Sequence, residues 1–189
     1  MHPTKCKAQT NDETWCRRGS ISVEEGLSIE VLSPDEGLKI LGTKLTLKDY
    51  TTAELQNRIS SAWRLFWSLK PTLLNKHVSV KRRLSLFDST VGSCALWGTE
   101  SWIPRADQLR ELESARRSML RRVVGSPRGV WEDWIPWMQR ATHRALDLAA
   151  EVGIRSWADA HFALKWSWAG QVACSFEASW IKKVTEWRD

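Results

Sequence analysis

Between Ile21 and Leu47 apolar and polar residues alternate in short runs: Ile21-Ser22-Val23, Leu27-Ser28-Ile29-Glu30-Val31 and Leu38-Lys39-Ile40-Leu41-Gly42-Thr43-Lys44-Leu45. Gly26 and the stretch Ser33-Pro34-Asp35-Glu36-Gly37 divide them. A period of two is that of half-buried strands, and turn-forming residues between the runs predict a small antiparallel hairpin or sheet. A hairpin alone is marginal in water, so this sheet needs a helix or another part of the protein against its apolar face.

From Thr51 the period becomes helical. Leu55, Ile59, Ala62, Trp63 and Phe66 form one stripe, Thr51 and Glu54 have the spacing of a capping box, and the helix is expected to stop before Pro71. A second helix is predicted from Ser79, with Val80, Leu84, Phe87, Val91 and Ala95 inward and Gly98 at its end. A third follows Pro104, with Leu109, Leu112, Met119, Leu120 and Val123 on its apolar face and Gly125-Ser126-Pro127 closing it. Pro136 opens a fourth, in which Met138, Ala141, Ala145, Leu148 and Val152 face inward before Gly153. Ser156 and Asp159 cap a fifth that runs through Trp157, Leu164, Trp168 and Val172, and a short one is expected from Ser179. The chain therefore reads as mainly α: a small N-terminal antiparallel β-hairpin or sheet followed by a multi-helix region.

Composition narrows this picture. At 189 residues, 42% hydrophobic and 26% charged, with a mean hydropathy of -0.39, the chain belongs among globular proteins rather than disordered or membrane ones. No apolar run approaches the ~20 residues that span a bilayer, and His2-Pro3-Thr4-Lys5 after Met1 begins neither a secretory signal nor an Arg-rich transit peptide. These features predict an intracellular protein, in nucleus or cytoplasm, with no membrane partner. Cys6, Cys16, Cys94 and Cys174 are irregularly spaced, which predicts buried thiols rather than disulfides. His2, His77, His143 and His161 add no zinc-type spacing, so no metal site is expected.

The net charge of +6 and a pI near 9.4 favour a polyanionic partner, because neutralising phosphates releases condensed counterions. Lys81, Arg82 and Arg83 stand at a helix N-terminus, where positive charge opposes the macrodipole, so they suit an external anion. Arg110, Arg116, Arg117, Arg121 and Arg122 make the third helix arginine-rich; Glu111 and Glu113 offset some of it, and the last turn stays cationic in excess. A solvated charged face accounts for both runs equally well. Thirteen Trp against one Tyr and four Phe are unusual, with Trp131, Trp134 and Trp137 three apart and Trp166, Trp168, Trp180 and Trp187 following. Indoles can stack on bases, but most of these positions fall on apolar helical faces, which predicts core packing as their main role.

Catalytic signatures are missing from the sequence. There is no Asp-Asp pair for two-metal chemistry, no P-loop, no G-x-S-x-G, no H-E-x-x-H and no Rossmann glycine set, and Glu24-Glu25 falls in an expected turn. As it stands, the chain does not read as an enzyme.

Landmarks in a fixed order resemble the non-LTR retrotransposon (LINE-like) reverse transcriptases, starting just after that family's catalytic Y-x-D-D. His2-Pro3-Thr4-Lys5-Cys6-Lys7 is similar to the end of palm motif D, with His where Asn is common, and Lys39-Ile40-Leu41-Gly42 to the primer-grip motif E. Arg58 through Arg83, then Ser89-Thr90 to Leu96-Trp97-Gly98-Thr99-Glu100-Ser101-Trp102, resemble the thumb and its S-x-L-L-Y-G-x-E-x-W signature, with Trp97 in place of Tyr. Met119 to Gly125 is similar to M-L-R-x-I-L-G, and Trp168-Ala169-Gly170-Gln171-Val172 to W-A-G-H-V, with Gln171 in place of His.

The resemblance implies the end of a palm with a primer-grip-like hairpin over 1–50, thumb-like helices over 51–102 and a helical connection over 103–189. The implied function is that of a C-terminal part of an RNA-directed DNA polymerase that holds an RNA/DNA primer–template and is not catalytic alone. Nucleic-acid contacts are then expected at Gly42, Arg58, Arg64, Lys70, Lys76, Lys81, Arg82, Arg83, Arg121 and Arg122. Gly42 suits a close backbone approach, and Lys5 has the position of the motif D lysine, which would help protonate departing pyrophosphate. No cofactor is expected on this chain; Mg is implied for a complete enzyme, with its aspartates on an upstream palm and fingers part. Two other readings compete: a helical protein-interaction domain whose Trp and Arg faces meet a protein partner, and a nonfunctional transposon remnant whose strands lack support.

Overall fold

The computed structural model describes residues 6–23, 27–175, 180 and 183. The Lys5, Glu24-Glu25, Gly26, Ser179 and Trp187 expectations lie outside the described residues. The chain is mainly α, with small sheets at its N-terminal end, as the periodicity predicts. It divides into two compact units, residues 1–60 and 61–189.

In the first unit, β1 (Lys7–Gln9), α1 (Glu13–Arg18), β2 (Ser20–Val23) and β3 (Leu27–Leu32) build a three-stranded sheet in the order β1-β3-β2. The β2–β3 pair is antiparallel, with Ile21 opposite Ile29, whereas β1 joins β3 in parallel, with Ala8 opposite Val31. A parallel pair needs a crossover, and α1 with β2 supplies it. Asp12 caps α1 by accepting from the Thr14 amide at 2.8 Å, and Gly19 ends it at φ 68°. The sequence reading did not include β1 or α1, because a three-residue strand and a six-residue helix are too short to show a period.

The hairpin β4 (Leu38–Ile40) and β5 (Thr43–Leu45) turns through Leu41 and Gly42, both at positive φ (50° and 87°). Positive φ at both central residues is what a two-residue turn matched to strand twist requires. α2 (Tyr50–Ser68) follows, and the unit boundary falls within it. Its cap is Asp49, whose Oδ1 accepts from the Thr52 amide at 3.1 Å. The expected Thr51–Glu54 box is not formed: the Glu54 carboxylate is fully buried and accepts from the Lys44 amide at 2.6 Å and from Asn57 at 3.1 Å.

The second unit contains α3 (Lys70–Leu73), α4 (Val80–Phe87), a π turn (Asp88–Gly92), α5 (Ser93–Ala95), a 3₁₀ turn (Thr99–Ser101), α6 (Ala106–Val124), α7 (Trp134–Glu151) and α8 (Trp157–Ala173). Pro71 occupies the first turn of α3 rather than only ending α2, where its missing N–H costs nothing. Leu84, Phe87, Val91 and Ala95 are all buried, as are Leu112, Met119, Leu120 and Val123 of α6 and Ala141 and Ala145 of α7. Phe87 lies in the middle of this core, stacked on Trp157 at 6.0 Å and edge-on to Phe66 at 6.4 Å.

Two expectations about burial are corrected. Among the described tryptophans only Trp102 and Trp157 are buried; Trp67, Trp97, Trp131, Trp134, Trp166, Trp168 and Trp180 are exposed. Helix α8 shows why: it is apolar on every side, and one neighbouring face can receive only Trp157, His161 and Val172, leaving Leu164, Trp166 and Trp168 outside. None of the cysteines is buried either; Cys6, Cys16 and Cys94 are partly exposed and Cys174 is exposed.

Candidate nucleic-acid interface

The candidate interface is organised around Arg83. Because Leu84 and Phe87 set the inward face of α4, Arg83 falls on the same side and is only 6% exposed. Its Nε donates to the Val78 carbonyl at 3.0 Å, and its Nη1 donates to the carbonyls of Leu73, at 3.2 Å, and Val123. One guanidinium thus ties together the end of α3, the loop into α4 and the last turn of α6. The Val123 carbonyl is one that α6 leaves without an intrahelical partner, and a cation suits the negative end of that helix. Burial lowers the Arg83 pKa from its ordinary value, but a guanidinium stays charged in proteins.

This tie joins three segments that each carry cations. Lys70 and Lys76 flank Leu73, Lys81 and Arg82 follow Val78, and Arg121 and Arg122 precede Val123, each within four residues of a carbonyl that Arg83 holds. Lys70, Lys76 and Arg82 are exposed, and among the described residues no carboxylate lies within ion-pair distance of them. Lys81 meets Glu151 at 3.4 Å with both side chains more than half exposed, a pair of little net strength. Arg121 donates to Thr142 Oγ1 at 3.1 Å, and its pKa is lowered by burial first and then by the like charges of Arg122 and Arg117.

Arg122 donates to the carbonyl and hydroxyl of Ser118 at 3.0 and 2.8 Å. Its guanidinium carbon lies 5.1 Å from the ring centre of Trp63 and 5.9 Å from that of Trp67. The two indoles, one helical turn apart on α2, are stacked at 6.0 Å and 21°, and Lys70 Nζ sits 5.9 Å from the Trp67 ring. Arg64, beside Trp63, is exposed. The helical stripe places Trp63 in the core and does not single out Trp67; the signal was their spacing of four on one helix, with Arg64 directly after Trp63 and Lys70 three residues beyond Trp67.

Charge segregation sharpens the site. Residues 1–60 hold eight Lys and Arg against nine Asp and Glu, whereas residues 61–189 hold twenty against thirteen. The whole positive excess therefore belongs to the second unit. No Asp or Glu occurs from Leu55 to Phe87, nor from Ser114 to Trp131, and these two acid-free runs contain every cation gathered at Arg83.

Arg58 and Gly42 belong to the first unit. Arg58 is 4% exposed, its Nε lies 2.7 Å from Glu54, and its Nη2 donates to the Gly42 carbonyl. Asn57 donates to the same carbonyl at 3.1 Å. The Arg58 guanidinium thus fastens the hairpin turn to α2 and is not presented at the surface, and the same holds for Arg83 in its own unit. Gly42 is itself exposed at the tip of the turn. Among the described residues no three His, Cys, Asp or Glu side chains converge to hold a metal ion. No helix among them is long and apolar enough to cross a membrane.

No family model matches the chain, and no solved structure does. Over 148 residues it is 27% identical to a curated protein of Caenorhabditis elegans described as transposon-derived. That likeness covers 78% of this chain but only 50% of the relative, so the chain spans about half the length of the protein it matches. At this distance the chain is similar to a protein of transposon origin.

Proposed function

We propose that this chain is the nucleic-acid-holding, thumb-like part of a retrotransposon-type reverse transcriptase, gripping a primer–template rather than catalysing its extension. The observation that carries this reading is the Arg83 junction, where one buried arginine ties together three segments that carry the exposed cations Lys70, Lys76, Arg82 and Arg122, none of them paired with a carboxylate among the described residues. Backbone phosphates are the natural partners of such a cluster, since each contact releases counterions and needs no base sequence. Likeness to a transposon-derived protein and the motif order of the reverse transcriptases support the same reading. Its site would comprise Arg64, Lys70, Lys76, Lys81, Arg82, Arg121 and Arg122, with Arg83 as organiser. The primer–template, an upstream polymerase part and a place in the nucleus or cytoplasm belong to this proposal.

Replacing Lys76 and Arg82 together by Ala tests it. The double variant is expected to bind an RNA/DNA hybrid more weakly and to lower the slope of log affinity against log salt by about two. Its stability should stay within about 0.5 kcal/mol of the parent, since both side chains are exposed. An unchanged slope would exclude these residues from the phosphate contacts. A protein partner is the second reading, favoured by the contiguous exposure of Val130, Trp131, Trp134 and Ile135.

A further inference from the structure

We infer that Trp67, backed by Trp63, is a stacking platform for an unpaired base of the bound nucleic acid, with Lys70 and Arg122 placed for the flanking phosphates. This inference rests on the nucleic-acid reading above and adds to it the kind of strand held: single-stranded nucleotides at the edge of the cationic junction.

Four observations point to this occupant. First, Trp67 is 46% exposed although it is the largest side chain at its level of α2, and an indole of that exposure presents a flat apolar surface to whatever approaches. Second, the ring is held in place from behind: Trp63 stacks on it at 21°, and Phe66 meets it edge-on at 5.3 Å and 85°. A fixed ring loses little conformational freedom when a base settles on it. Third, the charged groups that meet the ring are cations. Arg122 and Lys70 lie 5.9 Å from the Trp67 ring centre, Arg64 is on the preceding turn, and neither acid-free run supplies a carboxylate. Fourth, Lys70 makes no ion pair among the described residues, and 5.9 Å is the outer limit of a cation–π contact. A base can therefore take its place over the ring while the ammonium moves to the adjoining phosphate. An apolar protein side chain would leave these cations without a partner, whereas a nucleotide supplies the ring and the anion together.

The test compares the whole chain's affinity for a thymidine 12-mer with that for an abasic 12-mer of equal charge, in the parent, Trp67→Ala and Trp67→Phe. Stacking on one aromatic side chain corresponds to about a tenfold preference for the base-bearing strand. The expected result is a clear preference in the parent, its loss in Trp67→Ala with abasic binding unchanged, and its retention in Trp67→Phe, which shows that the ring rather than the fold is read. If both oligonucleotides bind with salt-dependent affinity but the preference is absent, or survives in Trp67→Ala, the platform is refuted while the phosphate grip stands. If neither binds at low salt, both the platform and the nucleic-acid reading fall.

Discussion

Arg83 shows what the residue scale adds to sequence. In the run Lys81-Arg82-Arg83 the three charges are indistinguishable as text, yet Arg82 is exposed and Arg83 is 6% exposed, with carbonyls of Leu73, Val78 and Val123 around its guanidinium. Removing it leaves buried acceptors unsatisfied, each worth about 1–3 kcal/mol. Arg83→Met is accordingly expected to lower unfolding free energy by about 3 kcal/mol, and Arg83→Lys to recover only part, since an ammonium cannot reproduce the planar fork. Chemical denaturation of the two variants beside Arg82→Ala measures the contrast; equal stability of all three would refute the organising role.

His161 provides the pH-dependent counterpart at this scale. It is fully buried against Trp102 at 5.0 Å, and neither ring nitrogen finds a hydrogen-bond partner among the described residues. Burial, then Lys165, lower its pKa to about 4, and Glu100 opposes them weakly. The folded state thus holds the ring neutral where an unfolded histidine, near 6.5, takes up a proton. Its contribution is complete above pH 6.5, declines as pH falls through that value, and is lost by about pH 4. Denaturation midpoints between pH 7 and 4 are expected to fall for the parent and to fall less for His161→Phe.

At the scale of elements, boundaries depended on which polar side chain reached a free amide. Thr51 and Glu54 have the right spacing for a capping box, but Glu54 is taken by Arg58 and the Lys44 amide, and Asp49 caps α2 two residues earlier. Asp49→Ala is expected to cost about 1 kcal/mol and Thr51→Ala well under half of that, read as shifts in thermal midpoint; the reverse order would restore the box. Ser156, by contrast, caps α8 as expected, accepting from the Asp159 amide at 3.0 Å. Long apolar stripes were readable because period alone fixes them, as at Leu84, Phe87 and Val91. The strand β1 and the direction of its pairing depend on a partner twenty-three residues away, Lys7 against Glu30, which no local pattern encodes. The tryptophans misled for a related reason: an apolar side chain on a helix signals a core only if another surface is there to receive it, and on α8 there is not enough such surface.

For the molecule as a whole, composition favours an anionic partner, and the division into two units assigns the positive charge to one of them. The excess of positive charge belongs to residues 61–189, and the cations named from sequence divide into two kinds there and in the first unit. Arg58 and Arg83 are buried and hold backbone carbonyls inside their own units, while Lys70, Lys76, Arg82 and Arg122 are exposed on the segments that Arg83 ties. Sequence could name the basic residues but not this division, because burial is decided by the helical phase of neighbours such as Leu84 and Leu55. The central claim is that this junction grips a nucleic-acid backbone, and the affinity of the whole chain for an RNA/DNA hybrid as a function of salt tests it most directly. The account predicts a straight fall of log affinity with log salt, steeper than a slope of about −3 and corresponding to several phosphates neutralised. A flat line, or no binding at low salt, would contradict it.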